Sequence, residues 1–330
     1  MQAPARLGLY SAGLVAVFAV AFATAGAVVP ADTVQAWAEG SGDHATHDQA
    51  AEDVTGAGGR AGHDAAPSPL GLGVASDGYQ LTGISAPTGA GTDGELSLTV
   101  TGPDGAAVTD FETEHEEELH LIVVRADGQQ FRHVHPERDA DGAWSIPWQW
   151  DAAGSYRVFA DFVPGQTGEG ITLSTTLQVP GDYASVPAEP LAETTVDGFD
   201  VAVTGDLVAG ESSALTMTIT RDGEPVTTLE PYLGAYGHLV ALRDGDLAYL
   251  HVHPHGDAPA AGQTSGPEVA FDVTAPTEGR YLLFLDFQTG GQVHTAPLVI
   301  DTAGTSSGGP TSTGDGQRQD EHEAGEDHDH

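Results

Sequence analysis

The sequence predicts an all-β protein built from two tandem antiparallel β-sandwiches. Segments such as ELSLTVTG and ALTMTITRDG alternate apolar residues with Thr or Ser, and Asp-Gly or Pro turns punctuate them. No stretch after the N-terminal segment sustains a helical period. Short alternating strands with turns every 8–12 residues or so are typical of Ig-like and cupredoxin-like sandwiches.

The chain begins with an apolar segment that we expect to form a membrane-anchoring helix. Arg6 is followed by 23 residues without a charge, numbers 7–29. A secretory signal has an apolar stretch of about 7–15 residues, whereas a spanning helix needs about 20. We therefore assign 1–36 to a signal anchor and predict a single-pass cell-membrane protein whose C-terminal part is extracellular. Cleavage after Ala25 or Ala36 would instead give a secreted protein.

Two segments flank the predicted sandwiches and are expected to be disordered. Residues 37–72 form a linker, and residues 303–330 form an acidic tail; both are rich in Gly, Ala, Asp and His. Such tracts bind divalent ions loosely, or their histidines are incidental. The histidines concerned are His44, His47, His63, His322, His328 and His330.

The region between these segments is an internal duplication. HLIVVRADGQQFRHVHP (120–136) aligns without a gap with HLVALRDGDLAYLHVHP (238–254), 118 positions later. Further on, AAGSYRVFADF (152–162) aligns with TEGRYLLFLDF (277–287). The duplication predicts one sandwich over 73–182 and a second over 194–302, joined by a Pro-rich linker at 183–193.

Composition narrows the choice of partners and ligands. The chain has 10 basic and 49 acidic residues, which gives a formal net charge of −39. This charge disfavours nucleic acid as a partner and favours cations as ligands; alternatively, it only keeps the protein surface well solvated. It has no cysteine, so disulfides, thiolate ligands and cysteine nucleophiles are excluded. Methionine occurs only at positions 1 and 217, which excludes a thioether-rich Cu(I) site.

Three histidines of the first copy, His120, His133 and His135, are predicted to lie on one face of a β-hairpin. If Asp127 and Gly128 form a two-residue turn, His120 lies opposite His135. If the turn is the one that aligns with Asp244-Gly245 of the second copy, His120 lies opposite His133. Both registers keep the three imidazoles on one face, because a shift of two residues preserves strand parity.

These histidines are candidate metal ligands. Opposed β-carbons lie about 4.5–5.5 Å apart, so two imidazoles can converge on one ion with bonds of about 2.0–2.1 Å. Three nitrogens without sulfur predict copper(II) or zinc, or nickel, with copper(II) favoured by affinity. His238, His251 and His253 repeat the pattern and predict a second site. The alternative is that these histidines only hydrogen-bond loop backbone and neighbouring acids.

Other polar and aromatic residues receive simpler interpretations. Asp161 and Asp286 occupy equivalent places inside apolar strands, where each is expected to accept a histidine N–H or to bind the metal directly. His115 lies in an acidic run predicted to be a solvated edge, and His255 and His294 are weaker ligand candidates. Three tryptophans are assigned to core packing rather than to a carbohydrate platform: Trp144, Trp148 and Trp150.

The paired HLIVVR, HVHP and YRVFADF blocks resemble the exported, heavy-metal- and copper-associated tandem β-sandwich proteins of actinobacteria. Each half is also similar to YtkA-like and CopC-type copper-resistance domains. The resemblance covers 73–302 and implies metal handling at the cell envelope, with the six histidines above as ligands. The chain departs from CopC-type proteins by placing an anchor and linker before the first sandwich, so an N-terminal amine ligand is not available there.

The sequence therefore favours a membrane-tethered protein that binds Cu(II) or Zn(II) for buffering, resistance or delivery. Its expected partners are a divalent metal ion, the membrane and an envelope metal transporter. The alternative is a cell-surface structural or interaction ectodomain without metal. An enzyme is not expected, since the cupin spacing fails: Glu137 follows only two residues after His135, and no catalytic triad or phosphate loop is evident.

Overall fold

The part of the chain that the structure describes is entirely β. The structure is a computed structural model that describes residues 70–250, 252–256, 259–260 and 262–303. Strands are its only regular secondary structure, so the all-β prediction is confirmed over these residues. In this part of the chain no helix is long and apolar enough to cross a membrane. The predicted anchor, most of the linker and all but the first residue of the tail lie outside the described residues.

The first sandwich has ten strands in two sheets. They are Ala75–Ser76 (β1), Tyr79–Ser85 (β2), Gly94–Thr101 (β3), Phe111–Glu112 (β4), Leu119–Arg125 (β5), Arg132–Val134 (β6), Glu137–Arg138 (β7), Ala143–Trp148 (β8), Gly154–Pro164 (β9) and Ile171–Val179 (β10). One sheet has the order β1-β2-β3-β8-β7 and the other the order β10-β9-β5-β6, with β4 also paired to β9. All these pairings are antiparallel.

The second sandwich repeats this arrangement. Its strands are Glu193–Val196 (β11), Phe199–Thr204 (β12), Ser212–Arg221 (β13), Glu224–Pro225 (β14), His238–Arg243 (β15), Tyr249–Leu250 (β16), Val252–Pro254 (β17), Glu268–Thr274 (β18), Arg280–Thr289 (β19) and Gln292–Asp301 (β20). One sheet has the order β11-β12-β13-β18-β17, with β14 paired to β13, and the other the order β16-β15-β19-β20. The prediction of two tandem antiparallel sandwiches is thus confirmed.

Each sandwich has its own apolar core, which follows from strand alternation. In β3, Leu96, Leu98 and Val100 are buried while the Ser and Thr residues between them are partly exposed. The three tryptophans of the first copy are buried in this core, as the sequence predicted. The alternation therefore leaves β3 with one face for packing and one for solvent.

The central strands β5 and β15 are different because both of their faces are covered. Leu119, Leu121 and Val123 point into the first core. Ile122 and Val124, on the other face, pack against the second sandwich. The resulting interface cluster contains Ile122, Val124, Phe159, Val240, Leu242, Leu247, Tyr249, Leu282 and Phe284. The two sandwiches fall within one compact unit of the chain.

Two equivalent ring contacts join the copies at this interface. Phe131 stacks on Phe284 with ring centroids 3.9 Å apart, and Tyr249 packs on Phe159 at 5.6 Å. In the aligned copies Tyr249 takes the place of Phe131, and Phe284 that of Phe159. The sandwiches therefore contact each other through the same surface, with approximate two-fold symmetry.

The first copy adopts the first of the two predicted hairpin registers. Leu121 lies opposite Val134, which brings His120 opposite His135. The second copy begins in the same register, with Leu242 opposite Tyr249.

After Leu250, however, the second copy departs from this pattern. Val252–Pro254 pairs with β18 in the other sheet, whereas in the first copy the chain makes this change only after Val134. The expectation that the second hairpin repeats the first residue for residue is therefore wrong in the described part. Strand parity relates side chains only within one sheet, so it no longer applies once the strand changes sheets.

Candidate metal centre

Three histidines of the first sandwich converge on a common point. Each of His120, His133 and His135 offers a ring nitrogen, and these atoms all lie within 4.8 Å of one another. His120 Nδ1 is 3.1 Å from His133 Nε2 and 3.1 Å from His135 Nε2. Two nitrogens bound tetrahedrally to one zinc ion at about 2.0–2.1 Å would be about 3.3 Å apart. The spacing of the three nitrogens is therefore close to that of a metal site.

Strand parity explains why these rings meet. His120 is the second residue of β5 and shares a face with Ile122 and Val124, which contact the second sandwich. His133 lies in the paired strand β6, and His135 follows directly after it. The three rings consequently point toward the interface between the sandwiches, away from the core of the first.

Hydrogen-bond partners fix the tautomers of two of these rings. His120 Nε2 is 3.1 Å from the backbone oxygen of Glu114, which only accepts, so this nitrogen carries the proton. His133 Nδ1 is 2.8 Å from Oδ2 of Asp286, so it likewise donates. In the neutral rings, His120 Nδ1 and His133 Nε2 then face each other across 3.1 Å with a lone pair each and no proton between them. Such a pair is stabilised by a cation placed between the two nitrogens.

His135 completes the group from the outer side. Its Nε2 is directed at His120 Nδ1, and its Nδ1 lies 3.8 Å from Oε1 of Glu117. Its side chain is 16% exposed, against 1% for that of His133. His135 is thus the member of the group nearest to solvent.

Two histidines of the centre, His120 and His135, and the neighbouring His238 are held in their neutral form. Burial, together with the neighbouring His133, lowers the pKa of His120 to about 3. The same two causes lower the pKa of His135 to about 4. Burial also brings the pKa of His238 well below its ordinary value. Near pH 7 these rings are therefore neutral, which is the form that binds metal ions.

The second-copy residue His238 joins the first trio rather than a second one. Its ring centroid is 4.9 Å from that of His133 and 5.6 Å from that of His120, with which it stacks at an interplanar angle of 8°. His253 is exposed on β17, which belongs to the opposite sheet of the second sandwich. His251 lies outside the described residues. The structure therefore does not bring His253 to His238, because the strand changes sheets before it.

The two equivalent aspartates both act as hydrogen-bond acceptors. Asp286 is buried and accepts at 2.8 Å from His133 and at 2.5 Å from the hydroxyl of Thr295. Asp161 accepts at 2.7 Å from Thr172 and also from the hydroxyl of Tyr249, whose pKa burial and Asp161 raise. Of the two interpretations made from sequence, the histidine acceptor describes Asp286, and its histidine comes from the other sandwich.

His115 is a neighbour of the centre that the sequence did not indicate. Its ring centroid is 5.4 Å from that of His238 and 6.1 Å from that of His120. His115 and Glu116 have φ angles of 48° and 69°, so they form a turn before β5 begins. His115 also lines a cavity of about 670 Å³ together with His255. The parity argument failed here because the residue precedes the strand.

The remaining described histidines have partners elsewhere. Nε2 of His255 is 2.6 Å from Asp272 at the surface. The buried His294 has its Nδ1 2.7 Å from Asp197, and its ring packs against Phe199 and Phe287. Both thus contact an aspartate, and neither belongs to the group of three histidines.

A protein-family model matches both sandwiches. Its description is "Domain of unknown function (DUF8832)", and it matches residues 74–183 and 194–304. A search of curated proteins finds no significant relative.

Solved structures share only a general likeness with this chain. The adhesin InvE of Yersinia pseudotuberculosis is 12% identical over 68% of this chain and 58% of that protein, with a TM-score of 0.20. Trypsin-activated alpha-2-macroglobulin from Escherichia coli is 15% identical over 71% of this chain and 16% of its own, with a TM-score of 0.23. The D0-D1 domain of intimin is 11% identical over 68% of this chain and 96% of its own, with a TM-score of 0.18. The chain thus spans less than two thirds of the first two, and scores this low carry no argument about function.

Proposed function

The chain belongs to the DUF8832 family through both of its sandwiches, and we propose that it binds a divalent transition-metal ion, Cu(II) or Zn(II). The ligands are His120 Nδ1, His133 Nε2 and His135 Nε2. The observation that carries the proposal is the convergence of three ring nitrogens within 4.8 Å of one another, with His120 Nδ1 3.1 Å from both His133 Nε2 and His135 Nε2. When both rings are neutral, His120 donates its proton to Glu114 and His133 donates its proton to Asp286, so neither ring has a proton left to place between His120 Nδ1 and His133 Nε2.

The donor set defines the chemistry of the ion. Three neutral imidazoles suit Cu(II) and Zn(II), and the chain has no cysteine to add a thiolate. We take the ion as cargo for buffering, resistance or delivery to an envelope metal transporter, outside the cytoplasm. The apolar segment at 7–29 and the formal net charge of −39 support this location.

Isothermal titration of the full-length chain in detergent tests the proposal. Zn(II) and Cu(II) are titrated into the wild type and into the His133→Ala/His135→Ala double variant. We expect the double variant to lose affinity by more than about 100-fold, since even the outer partners of metal ligands typically change affinity 10–100-fold. His253→Ala/His255→Ala is the matched control, because it removes two exposed imidazoles of the same spacing from the second copy.

The control also accounts for loose binding by histidines of the linker and tail, which all three proteins retain. We expect His253→Ala/His255→Ala to bind like the wild type. If the His133→Ala/His135→Ala variant binds both metals as tightly as the wild type, the trio is not a metal site.

A second candidate is a cell-surface structural or interaction ectodomain that needs no metal. It is favoured by the contacts that the same histidines make across the interface: His133 to Asp286, and His120 stacked on His238. In that case the rings serve to join the sandwiches. The thermal midpoint of unfolding separates the two functions: the metal-binding protein gains stability on addition of Zn(II) and loses that gain in EDTA, whereas the metal-free ectodomain responds to neither.

A further inference from the structure

The second sandwich takes part in the centre by holding a ligand of the first. Resting on the proposed function, we infer that metal binding depends on the docking of the two sandwiches: Asp286 of the second positions His133 of the first. The ion is then bound tightly only by the docked pair, and it stabilises the docked arrangement in return.

The contact between these residues is buried and well supported. The two side chains are 1% and 2% exposed, and the residues lie 153 positions apart in the sequence. Thr295, in the neighbouring strand and opposite Asp286 in register, donates to the other carboxylate oxygen at 2.5 Å. Asp286 is thus a fixed acceptor, which can hold the His133 ring in one orientation.

The bond determines which nitrogen of His133 is available. With Asp286 present, the proton is on Nδ1 and the lone pair of Nε2 points toward the ion. Without this acceptor, His133 is free to carry its proton on Nε2 and to donate it to His120 Nδ1, 3.1 Å away. That hydrogen bond would close the site. Asp286 therefore keeps the centre open to a cation.

The position of Asp286 depends on the interface. It shares a face of β19 with Phe284 and Leu282, both of which belong to the cluster between the sandwiches. Separation of the sandwiches would carry Asp286 away from His133. Because coupling between two binding equilibria is reciprocal, an ion that needs the docked state must also favour it.

The first sandwich offers a matched control residue. Asp161 is the equivalent of Asp286 and lies opposite His120 in register, as Asp286 lies opposite His238. Its carboxylate accepts from Thr172 and Tyr249 instead. A change at Asp161 therefore removes a similar carboxylate from the interface and leaves the His133 contact in place.

Zn(II) affinity of the full-length chain, measured by competition with a chromophoric chelator, tests the inference. Asp286→Asn is expected to lower the affinity by about 10–100-fold. Thr295→Val, which removes only the support of Asp286, is expected to lower it in the same direction by less. Asp161→Asn is expected to bind like the wild type. Equal affinities for Asp286→Asn and Asp161→Asn would overturn the role of Asp286.

A spectroscopic measurement distinguishes positioning of a ligand from general loss of structure. In Cu(II)-loaded protein, electron paramagnetic resonance is expected to show three coordinated nitrogens in the wild type and in Asp161→Asn. Asp286→Asn is expected to show two, because His133 no longer presents Nε2. Three nitrogens in Asp286→Asn would contradict the inference.

Dependence on docking is tested by two leucines of the same strand. Leu242 of β15 lies in the cluster between the sandwiches, whereas Leu239 points into the core of the second. We expect Leu242→Ala to weaken Zn(II) binding and Leu239→Ala to leave it unchanged, with circular dichroism confirming that both variants stay folded. Equal Zn(II) affinities for these two variants would overturn the coupling. If the wild type itself binds no better than His133→Ala/His135→Ala, it is the proposed function that fails.

Discussion

The two ring nitrogens of His120 have different tasks. Nε2 donates to the backbone oxygen of Glu114, which leaves Nδ1 as the acceptor that both His133 and His135 face. A proton on Nδ1 would satisfy this arrangement, but burial lowers the pKa of His120 to about 3. Near pH 7 His120 is therefore neutral and keeps a lone pair on Nδ1, as the proposed function requires.

The depressed pKa of His120 predicts a pH-dependent stability of the metal-free protein. The unfolded chain binds this proton near pH 6.5 and the folded chain only near pH 3, so protonation favours unfolding. His135 and His238, whose pKa values are also lowered, act in the same direction. We expect the urea midpoint in EDTA to hold above about pH 6.5 and to fall as the pH decreases.

The wild type and the variant His120→Phe are best compared between about pH 6.5 and 5, where carboxylates stay ionised in both the folded and the unfolded state. His120→Phe removes the group while His115, His133, His135 and His238 remain. We expect a shallower decline in this variant than in the wild type. A decline of the same slope in both proteins would mean that His120 does not carry the effect.

Part of the centre could be predicted at the level of single residues. The convergence of His120, His133 and His135 follows from parity within one hairpin, which the sequence contains in full. The approach of His238 does not follow, because parity states which face a side chain occupies and not what covers that face. His115 escaped prediction for a different reason: its positive φ places it in a turn, where strand alternation does not hold.

At the scale of elements, the same tetrapeptide pairs differently in the two copies. In the first HVHP, Val134 pairs with β5, whereas in the second, Val252 pairs with β18 of the opposite sheet. Local sequence cannot decide between these pairings, since it is identical; the surrounding sheets decide. By contrast, the burial of both faces of β5 can be seen in its uninterrupted apolar run, LIVV.

The turn of the first hairpin packs against the second sandwich and predicts an asymmetric effect of Ala substitutions. Gly128 and Gly245 have φ angles of 76° and 98°, so Ala at either is strained by about 1–2 kcal/mol. A β-carbon at Gly128 would also lie 2.6 Å from Leu282 Cδ1, whereas at Gly245 it would meet nothing within 4 Å. We expect Gly128→Ala to cost about 1–3 kcal/mol more than Gly245→Ala. Chemical denaturation measures both, and equal losses would show that the turn tolerates the added methyl.

At the scale of the whole molecule, the sandwiches form an internal pair. Two equivalent pairs of rings pack across the interface, Phe131 on Phe284 and Tyr249 on Phe159, as in a two-fold dimer joined by a linker. The duplication and the two sandwiches could be predicted from the repeated blocks. The face through which they meet could not, since both apolar faces of a central strand look alike in sequence. The symmetry is broken at the centre, where the described trio comes from the first copy alone.

This interface predicts that the two sandwiches unfold together. Leu282 and Leu283 are adjacent in β19 and both buried, but Leu282 belongs to the cluster between the sandwiches and Leu283 to the core of the second. Each Ala substitution should cost about 2–5 kcal/mol, because each leaves a cavity in a packed apolar region. Only Leu282→Ala weakens the coupling, so calorimetry should resolve two transitions for that variant. The wild type and Leu283→Ala should each show one transition, lowered in temperature for Leu283→Ala. Two transitions in the wild type would mean that the interface does not hold the sandwiches as one cooperative unit.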